Sequence, residues 1–252
     1  MPQVAMYRNC LFAGAAVLLL SLFMDAYSAD DAAKGPGPMK NTHVVLVGAS
    51  IGKTWNLPEF PQRKSLDGFT LGSLTVWQYD KSDAVKEILM WPKRKFRLTA
   101  SYFKSLLDEP PKRPDIVILK ECSSYFPGDE TAQQELMKKW IDEVQAAGMQ
   151  AMVTTVVPVT RQRAERDAGK MEGIRRYNDW IREYARQQHL VVVDLEAVLR
   201  EDPDQRFLRE EFTSGDGSHL NRKAYDLLDR MLLETLCQQN QAACGAAPHG
   251  KL

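Results

Sequence analysis

The sequence predicts an α/β protein whose parallel sheet of about five strands is covered by helices on both faces. Short apolar runs rich in β-branched residues recur along the chain. Longer segments with helical spacing of apolar residues lie between these runs. Strands that are apolar throughout are typical of parallel sheets buried on both sides. With 44% hydrophobic residues, the 252-residue chain has enough apolar surface for such a core.

The elements follow one another in a regular alternation. The predicted strands are His43–Val47, Leu74–Gln78, Ile116–Leu119, Ala151–Val157 and Leu190–Val193. The predicted helices are Asp83–Met90, Thr99–Leu107, Thr131–Ala147, Lys170–Gln188 and Asn221–Leu236. Ligands of open parallel sheets bind outside the carboxyl ends of the strands. Functional residues are therefore expected in the loops that follow the strands.

Residues 1–29 have the pattern of a secretory signal peptide. Arg8 precedes an apolar run from Cys10 to Phe23, and small residues at Ala26–Ala29 offer a cleavage site. The run is shorter than the roughly 20 residues of a membrane-spanning helix. An uncleaved N-terminal anchor is the alternative, and only in that case is membrane attachment expected. Both interpretations predict an exported protein, periplasmic or secreted, in which residues 30–41 form a linker.

The charged and metal-binding residue types exclude several classes of function. Lys and Arg total 33, as do Asp and Glu, so no net positive charge favours nucleic acid. Four scattered His, without H-x-x-x-H or C-x-x-C spacing, predict neither a metal nor another cofactor. Cys237 and Cys244 are close enough in sequence to pair in an oxidising compartment. Residues 238–252 are predicted to form a flexible tail.

The loop after the first strand is compatible with three interpretations. Gly52-Lys53-Thr54 resembles the end of a phosphate loop, but the first Gly of that motif would fall at Val47. Residues 48–52 also fit G-x-S-x-G, the sharp turn that exposes a nucleophilic Ser, here Ser50. Alternatively, the Gly and Ser residues serve only a turn and a helix start.

A second loop, near the C-terminus, favours the nucleophile. A Ser nucleophile needs an imidazole to accept its proton and a carboxylate to orient that imidazole. Asp216 stands three residues before His219 in a Gly-rich loop that leads into the last helix. The other histidines, His43, His189 and His249, lie at element ends or in the tail.

With these two motifs the sequence resembles the SGNH/GDSL hydrolases. Gly48-Ala49-Ser50 stands where that family has G-D-S, and residues 216–221, DGSHLN, match its D-G-x-H-L-N block. The resemblance covers residues 42–237. It implies a flavodoxin-like three-layer α/β/α fold and hydrolysis of esters, often acetyl or acyl groups on carbohydrate or lipid. It also implies that Ser50 attacks, that His219 is the general base and then acid, and that Asp216 orients His219.

Two internal blocks differ from the family pattern, and both concern the oxyanion hole. Asp80 occupies the position of a Gly whose amide binds the oxyanion, and Cys122 aligns with an Asn. Because a thiol is a weak donor, Lys120, Ser123 and Ser124 are further candidates for oxyanion or substrate binding. Alternatively, Lys120 forms a structural ion pair with Glu121.

Two functional classes follow from these motifs. One is an exported serine esterase or carbohydrate acetylesterase that acts on a small-molecule or carbohydrate ester. The other is a noncatalytic relative that binds a glycan or a cell-envelope partner through the same cleft. Trp55, Tyr125 and Phe126 could form an aromatic wall for a sugar or acyl group, or simply pack in the core.

Overall fold

The structure, a computed structural model, describes residues 42–66, 68–75, 85–86, 89 and 113–239. Five strands form one sheet in the order β2-β1-β3-β4-β5, and every neighbouring pair is parallel. The strands are β1 (Thr42–Gly48), β2 (Phe69–Thr75), β3 (Ile116–Leu119), β4 (Gln150–Thr154) and β5 (Val191–Val193). This order is that of flavodoxin-like sheets, so the predicted fold class is confirmed.

Seven α-helices are described, together with three short 3-10 turns. The helices are α1 (Ser50–Thr54), α2 (Phe60–Lys64), α3 (Glu130–Ala146), α4 (Arg161–Arg166), α5 (Lys170–Gln187), α6 (Leu195–Leu199) and α7 (Arg222–Gln239). The 3-10 turns are Leu57–Glu59, Ser123–Tyr125 and Glu210–Phe212.

Alternation of side chains along the strands divides the interior into two cores. Leu46 and Ile118 point to the face covered by α1, α2, α6 and α7. Val47 and Leu119 point to the opposite face, which α3 and α5 cover. Successive side chains of a strand project to opposite faces, so each central strand contributes to both cores. The result is the three-layer α/β/α arrangement.

Polar side chains fix the starts of three helices. Asp129, Thr160 and Asp194 each accept a hydrogen bond from the main-chain N–H three residues ahead, at the starts of α3, α4 and α6. Each bond satisfies a donor that the first helical turn leaves without an intrahelical acceptor. The loops after β4 and β5 therefore turn into helices at defined residues.

Two strands differ from their predicted limits by three residues or more. The second strand was predicted over Leu74–Gln78, but β2 begins at Phe69, where buried Phe69 and Leu71 alternate with Thr70. The fourth was predicted to reach Val157, but β4 ends at Thr154.

Beyond the end of β4, a side chain rather than a neighbouring strand forms hydrogen bonds with the main chain. The amide of Asn178 accepts from Val156 N at 2.7 Å and donates to Val156 O at 2.9 Å. The apolar run therefore remains buried without being a strand. The short helices α1, α2, α4 and α6 were not predicted, because five or six residues carry little helical periodicity.

Several predictions lie outside the described residues. They are the signal and linker in residues 1–41, the helix at 99–107, residues 76–78 of the second strand and the tail after residue 239. Of the predicted helix Asp83–Met90, only Val85, Lys86 and Leu89 are described, and these are helical. The last helix reaches Gln239, two residues beyond the predicted domain end.

The cysteines that the structure describes have different states. Cys122 is a buried free thiol, whereas Cys237 is disulfide-bonded. Its predicted partner, Cys244, lies outside the described residues. Across the described ranges, no helix is both long enough and apolar enough to cross a membrane.

Candidate active site

Ser50 stands at the carboxyl edge of the sheet, where β1 turns into α1. β1 ends at Gly48 and α1 begins at Ser50, so Ala49 alone joins them. A Cβ at Gly48 would lie 2.9 Å from Leu46 Cδ2 and 3.4 Å from Lys120 Cβ. A side chain at position 48 would therefore require Leu46 to shift. The tight turn places Ser50 at the carboxyl end of β1.

His219 is held in a loop that is braced from both ends. Thr213 and Leu220 form an antiparallel bridge, and the Ser214 N–H donates to His219 O at 2.8 Å. Asn221 Nδ2 donates to Thr213 O at 3.2 Å, and its Oδ1 accepts from Ala224 N at the start of α7. The DGSHLN block therefore ties the loop that carries His219 to the last helix.

Ser50, His219 and Asp216 form one chain of hydrogen bonds. The imidazole Nδ1–H donates to Asp216 Oδ2 at 2.5 Å, which leaves Nε2 as an acceptor. The Ser50 hydroxyl lies 3.1 Å from His219 Nε2 and donates to it. The arrangement can withdraw a proton from Ser50 as its oxygen attacks an electrophile, which is what a Ser-His-Asp triad requires.

Asp216 is held in its charged form by its own loop. Its Oδ1 accepts from the main-chain N–H groups of Ser218 and His219, at 2.9 and 2.8 Å. Burial acts to raise the pKa of Asp216, but the hydrogen bonds from His219 and Ser218 outweigh burial. They hold the pKa of this carboxyl well below its ordinary value, so Asp216 stays an acceptor for the imidazole across the neutral range.

The three residues open onto a cleft of about 500 Å³. Besides the triad, the cleft is lined by Ala49, Ile51, Cys122, Ser123, Ser124, Tyr125, Arg163, Lys170 and Ser218. It lies between the loops after β1 and β3, which is where the strand order reverses and where such sheets bind ligands.

The remaining predicted oxyanion residues occupy different places. Cys122 and Ser123 line the cleft, and Cys122 Sγ accepts from Ser124 Oγ at 3.1 Å. Lys120 is buried below the cleft, and its ammonium donates to the main-chain carbonyl of Glu121 at 2.7 Å. Asp80 lies outside the described residues. The roles of all four residues stay predictions.

The aromatic residues separate into core and cleft. Trp55 is buried, and its Nε1 donates to Asp229 at 2.8 Å, which links α1 to α7. Phe126 packs edge-on against Tyr177 with ring centroids 5.5 Å apart. Only Tyr125 of the three lines the cleft. Packing, the alternative interpretation, therefore applies to Trp55 and Phe126.

Two cationic residues that line the cleft were not predicted from the sequence. Arg163 and Lys170 follow the fourth strand, in and just after the basic segment RQRAER of residues 161–166. Basic residues after the carboxyl end of a parallel strand were a usable signal, because such loops meet at the ligand-binding edge. Among the residues that the structure describes, no group of three or more His, Cys, Asp or Glu side chains could hold a metal.

The chain belongs to the GDSL-like lipase/acylhydrolase family. The sequence model of that family matches residues 98–227, about half of the chain. The matched range contains Asp216 and His219, whereas Ser50 precedes it. No match was found among curated proteins.

Solved structures of GDSL and SGNH hydrolases share this fold. A GDSL-like lipase from Bacteroides thetaiotaomicron VPI-5482 has 16% identity and a TM-score of 0.58, covering 84% of this chain and 96% of its own. The lipase/acylhydrolase from Enterococcus faecalis has 15% identity and a TM-score of 0.55, with coverages of 82% and 100%. The acetyl xylan esterase AlAXEase has 13% identity and a TM-score of 0.53, with coverages of 77% and 99%.

Proposed function

We propose that the protein is an exported serine esterase that removes an acetyl or acyl group from an alcohol, with carbohydrate hydroxyls among the candidate alcohols. The observation that carries this proposal is the hydrogen-bonded chain from Asp216 through His219 to Ser50. Membership of the GDSL-like lipase/acylhydrolase family supports the hydrolase class. The acetyl xylan esterase among the structures with this fold supports the choice of an ester.

In the acylation step, Ser50 Oγ forms a bond to the carbonyl carbon of the ester. The Ser50 proton passes to His219 Nε2, and the carbonyl oxygen becomes an oxyanion. Asp216 stabilises the imidazolium through Nδ1 and keeps the ring in position. When the bond to the alcohol breaks, His219 returns the proton to the departing alkoxide, and the acyl group remains on Ser50.

In the second step, water takes the place of the alcohol. His219 removes a proton from water, and the hydroxide oxygen attacks the acyl carbonyl carbon. Collapse of the tetrahedral intermediate releases the carboxylic acid and returns the proton to Ser50. The net reaction consumes one water for each ester cleaved and needs no cofactor.

The main-chain N–H of Ser50 is one donor for the oxyanion. It lies at the start of α1, and none of the described residues accepts a hydrogen bond from it. Ser123 and Cys122 line the same cleft and are the further candidate donors. Donors aimed at the developing charge commonly account for a large share of such catalysis.

Substitution of the nucleophile tests the proposal. Wild-type protein is expected to hydrolyse p-nitrophenyl acetate, and Ser50→Ala is expected to lower kcat by about 10³-fold or more, because the acyl acceptor is lost. Ser65→Ala, which removes an exposed hydroxyl that does not line the cleft, is the matched control. Folded wild-type protein without turnover of any aryl ester would contradict the esterase and favour a noncatalytic glycan-binding relative. Cys122 at the family's Asn position is the observation that favours that second function.

Export is a separate part of the proposal. It is supported by the signal-like residues 1–29 and by the disulfide at Cys237, since disulfides persist in oxidising compartments. The full chain expressed in a bacterial host is expected to yield a periplasmic protein whose intact mass lacks about 29 residues. Recovery of the uncleaved chain in the membrane fraction would instead support the N-terminal anchor.

A further inference from the structure

Two cations stand in the cleft beside the catalytic loop, and the esterase mechanism does not use them. Arg163 belongs to α4, and Lys170 begins α5. Both line the cleft that contains Ser50 and His219. The side chain of Lys170 is 12% exposed and that of Arg163 is 31% exposed. Neither is therefore a freely solvated surface charge.

The carboxylate of Asp167 joins the two cations. Its Oδ2 lies 2.8 Å from Arg163 Nε and 2.6 Å from Lys170 Nζ. The bonds from Lys170 and then Arg163 lower the pKa of Asp167, which keeps it ionised. One negative charge against two positive charges leaves one net positive charge in the group.

Asp167 does not occupy all the hydrogen-bond donors of Arg163 and Lys170. Only Nε of the Arg163 guanidinium is bonded to a side chain within the described residues, so both terminal amino groups remain as donors. Asp216, the carboxylate among the described residues that line the cleft, already accepts from Ser218 and His219. No other acidic side chain among the described residues lines the cleft, so none there takes up these donors.

The main chain fixes Arg163 on the His219 side of the cleft. Thr160 N donates to Gly217 O at 2.9 Å, so the start of α4 is bonded to the catalytic loop. A Cβ at Gly217 would lie 2.9 Å from Arg163 Cβ, which shows how closely the two backbones approach. His219 protonates the departing alcohol, so the alcohol part of a substrate must occupy this side.

We propose that Arg163 and Lys170 bind a carboxylate on the alcohol part of the ester, so that the preferred substrates are acylated hydroxy acids. A planar guanidinium with two free amino groups matches the two oxygens of a carboxylate, and a neighbouring ammonium adds a further donor. Acylated uronic acids have this chemistry. The inference rests on the proposed esterase function and narrows its substrate class.

Binding to an inactive protein tests the inference without turnover. Full-length Ser50→Ala is titrated with 3-acetoxybenzoate and with its methyl ester, in which the carboxylate is replaced by an uncharged ester group. The carboxylate is expected to bind about tenfold more tightly or better, as charge-assisted hydrogen bonds predict. Adding Arg163→Gln and Lys170→Gln is expected to reduce the preference to less than about twofold.

Two further variants serve as control and reciprocal test. Arg161→Gln removes a cation of the same helix that contacts Glu201 and Gln205, and the preference is expected to persist. Asp167→Asn frees both cations and is expected to increase the preference for the carboxylate. Should the double glutamine variant unfold, the single variants and Asp167→Asn still decide the matter through the same ratio. Equal binding of the two ligands to folded Ser50→Ala would overturn the inference.

Turnover by the wild-type protein separates the two proposals. Hydrolysis of both acetoxybenzoates with equal kcat/KM would preserve the esterase and overturn the carboxylate site. Selective binding of the carboxylate without hydrolysis of either ester would preserve the site and overturn the esterase.

Discussion

Cys122 is the residue at which this chain departs most directly from the chemistry of its family. It lines the same cleft as Ser50, at the position where the resemblance to SGNH/GDSL hydrolases places an Asn. The thiol sulfur accepts from Ser124 Oγ, and a thiol is itself a weak hydrogen-bond donor. A strong donor is therefore replaced by a weak one where the oxyanion is expected.

Restoring an amide at position 122 should increase the rate. Cys122→Asn is expected to raise kcat for p-nitrophenyl acetate by about tenfold or more, because removing one oxyanion donor typically costs about 10²- to 10³-fold. Cys122→Ala, which supplies no donor, is the matched control and should show no gain. Unchanged or lower kcat in a Cys122→Asn protein with an unaltered melting temperature would show that other groups bind the oxyanion.

Tyr177 is a second residue whose surroundings lead to a specific prediction. Its ring lies in the core against Phe126 and Trp180, and its buried hydroxyl has no hydrogen-bond partner among the described residues. Burial, and then the charge of Glu121, raise the pKa of Tyr177 well above its ordinary value. A buried hydroxyl without a partner costs free energy that a phenyl ring would not.

Tyr177→Phe is expected to raise the free energy of unfolding by about 1 kcal/mol at pH 7. A phenol whose pKa is raised on folding contributes stability below its unfolded pKa, and this contribution is lost as pH rises past about 10. The advantage of Tyr177→Phe should therefore grow above pH 10, as measured by urea unfolding.

Tyr225→Phe is the comparison for this change. The Tyr225 hydroxyl donates to Ile51 O, and burial raises the pKa of Tyr225 to about 12. Because a hydrogen bond is lost, Tyr225→Phe should not stabilise at pH 7, although it too should reduce the loss of stability between pH 10 and about 12. A Tyr177→Phe protein less stable than wild type at pH 7 would indicate a partner for that hydroxyl.

At the scale of elements, the loop that carries His219 is packed against α4. Gly217 has a φ of +78°, and a Cβ there would lie 2.6 Å from Thr160 Oγ1 as well as close to Arg163. Gly215 in the same loop has a φ of +111°, but nothing lies within 4 Å of its Cβ position. The two glycines thus share a positive φ, which would strain any other residue, but they differ in the space around the Cβ position.

This difference makes Gly217→Ala and Gly215→Ala a matched pair. Both variants carry the cost of an alanine at positive φ, of about 1–2 kcal/mol. Only Gly217→Ala must also push the loop away from α4, which displaces His219 from Ser50. We expect the kcat/KM of Gly217→Ala to be about tenfold or more below that of Gly215→Ala, because small misplacements of catalytic groups reduce the rate strongly. Equal effects would mean that the α4 contact does not position the loop.

For the molecule as a whole, the sequence predicted the sheet and the two ends of the triad because each signal is local. Apolar runs such as Ile116–Leu119 identify buried strands, and Ser50 and His219 stand in short motifs. The early start of β2 was missed because edge strands have weaker apolar patterns. The positions of Arg163 and Lys170 depend on how α4 packs against the His219 loop, about 50 residues further along the chain. A local sequence pattern cannot predict such a long-range contact.

The most direct measurement is covalent labelling of the full chain with a fluorophosphonate, followed by mass spectrometry of its peptides. If the hydroxyl that follows β1 is activated by the imidazole near the C-terminus, one equivalent of label should attach to Ser50. Labelling should disappear in Ser50→Ala, decline strongly in His219→Ala and persist in Ser65→Ala, which changes a serine that does not line the cleft. A folded wild-type protein that remains unlabelled, or that is labelled at another residue, would contradict a catalytic Ser50.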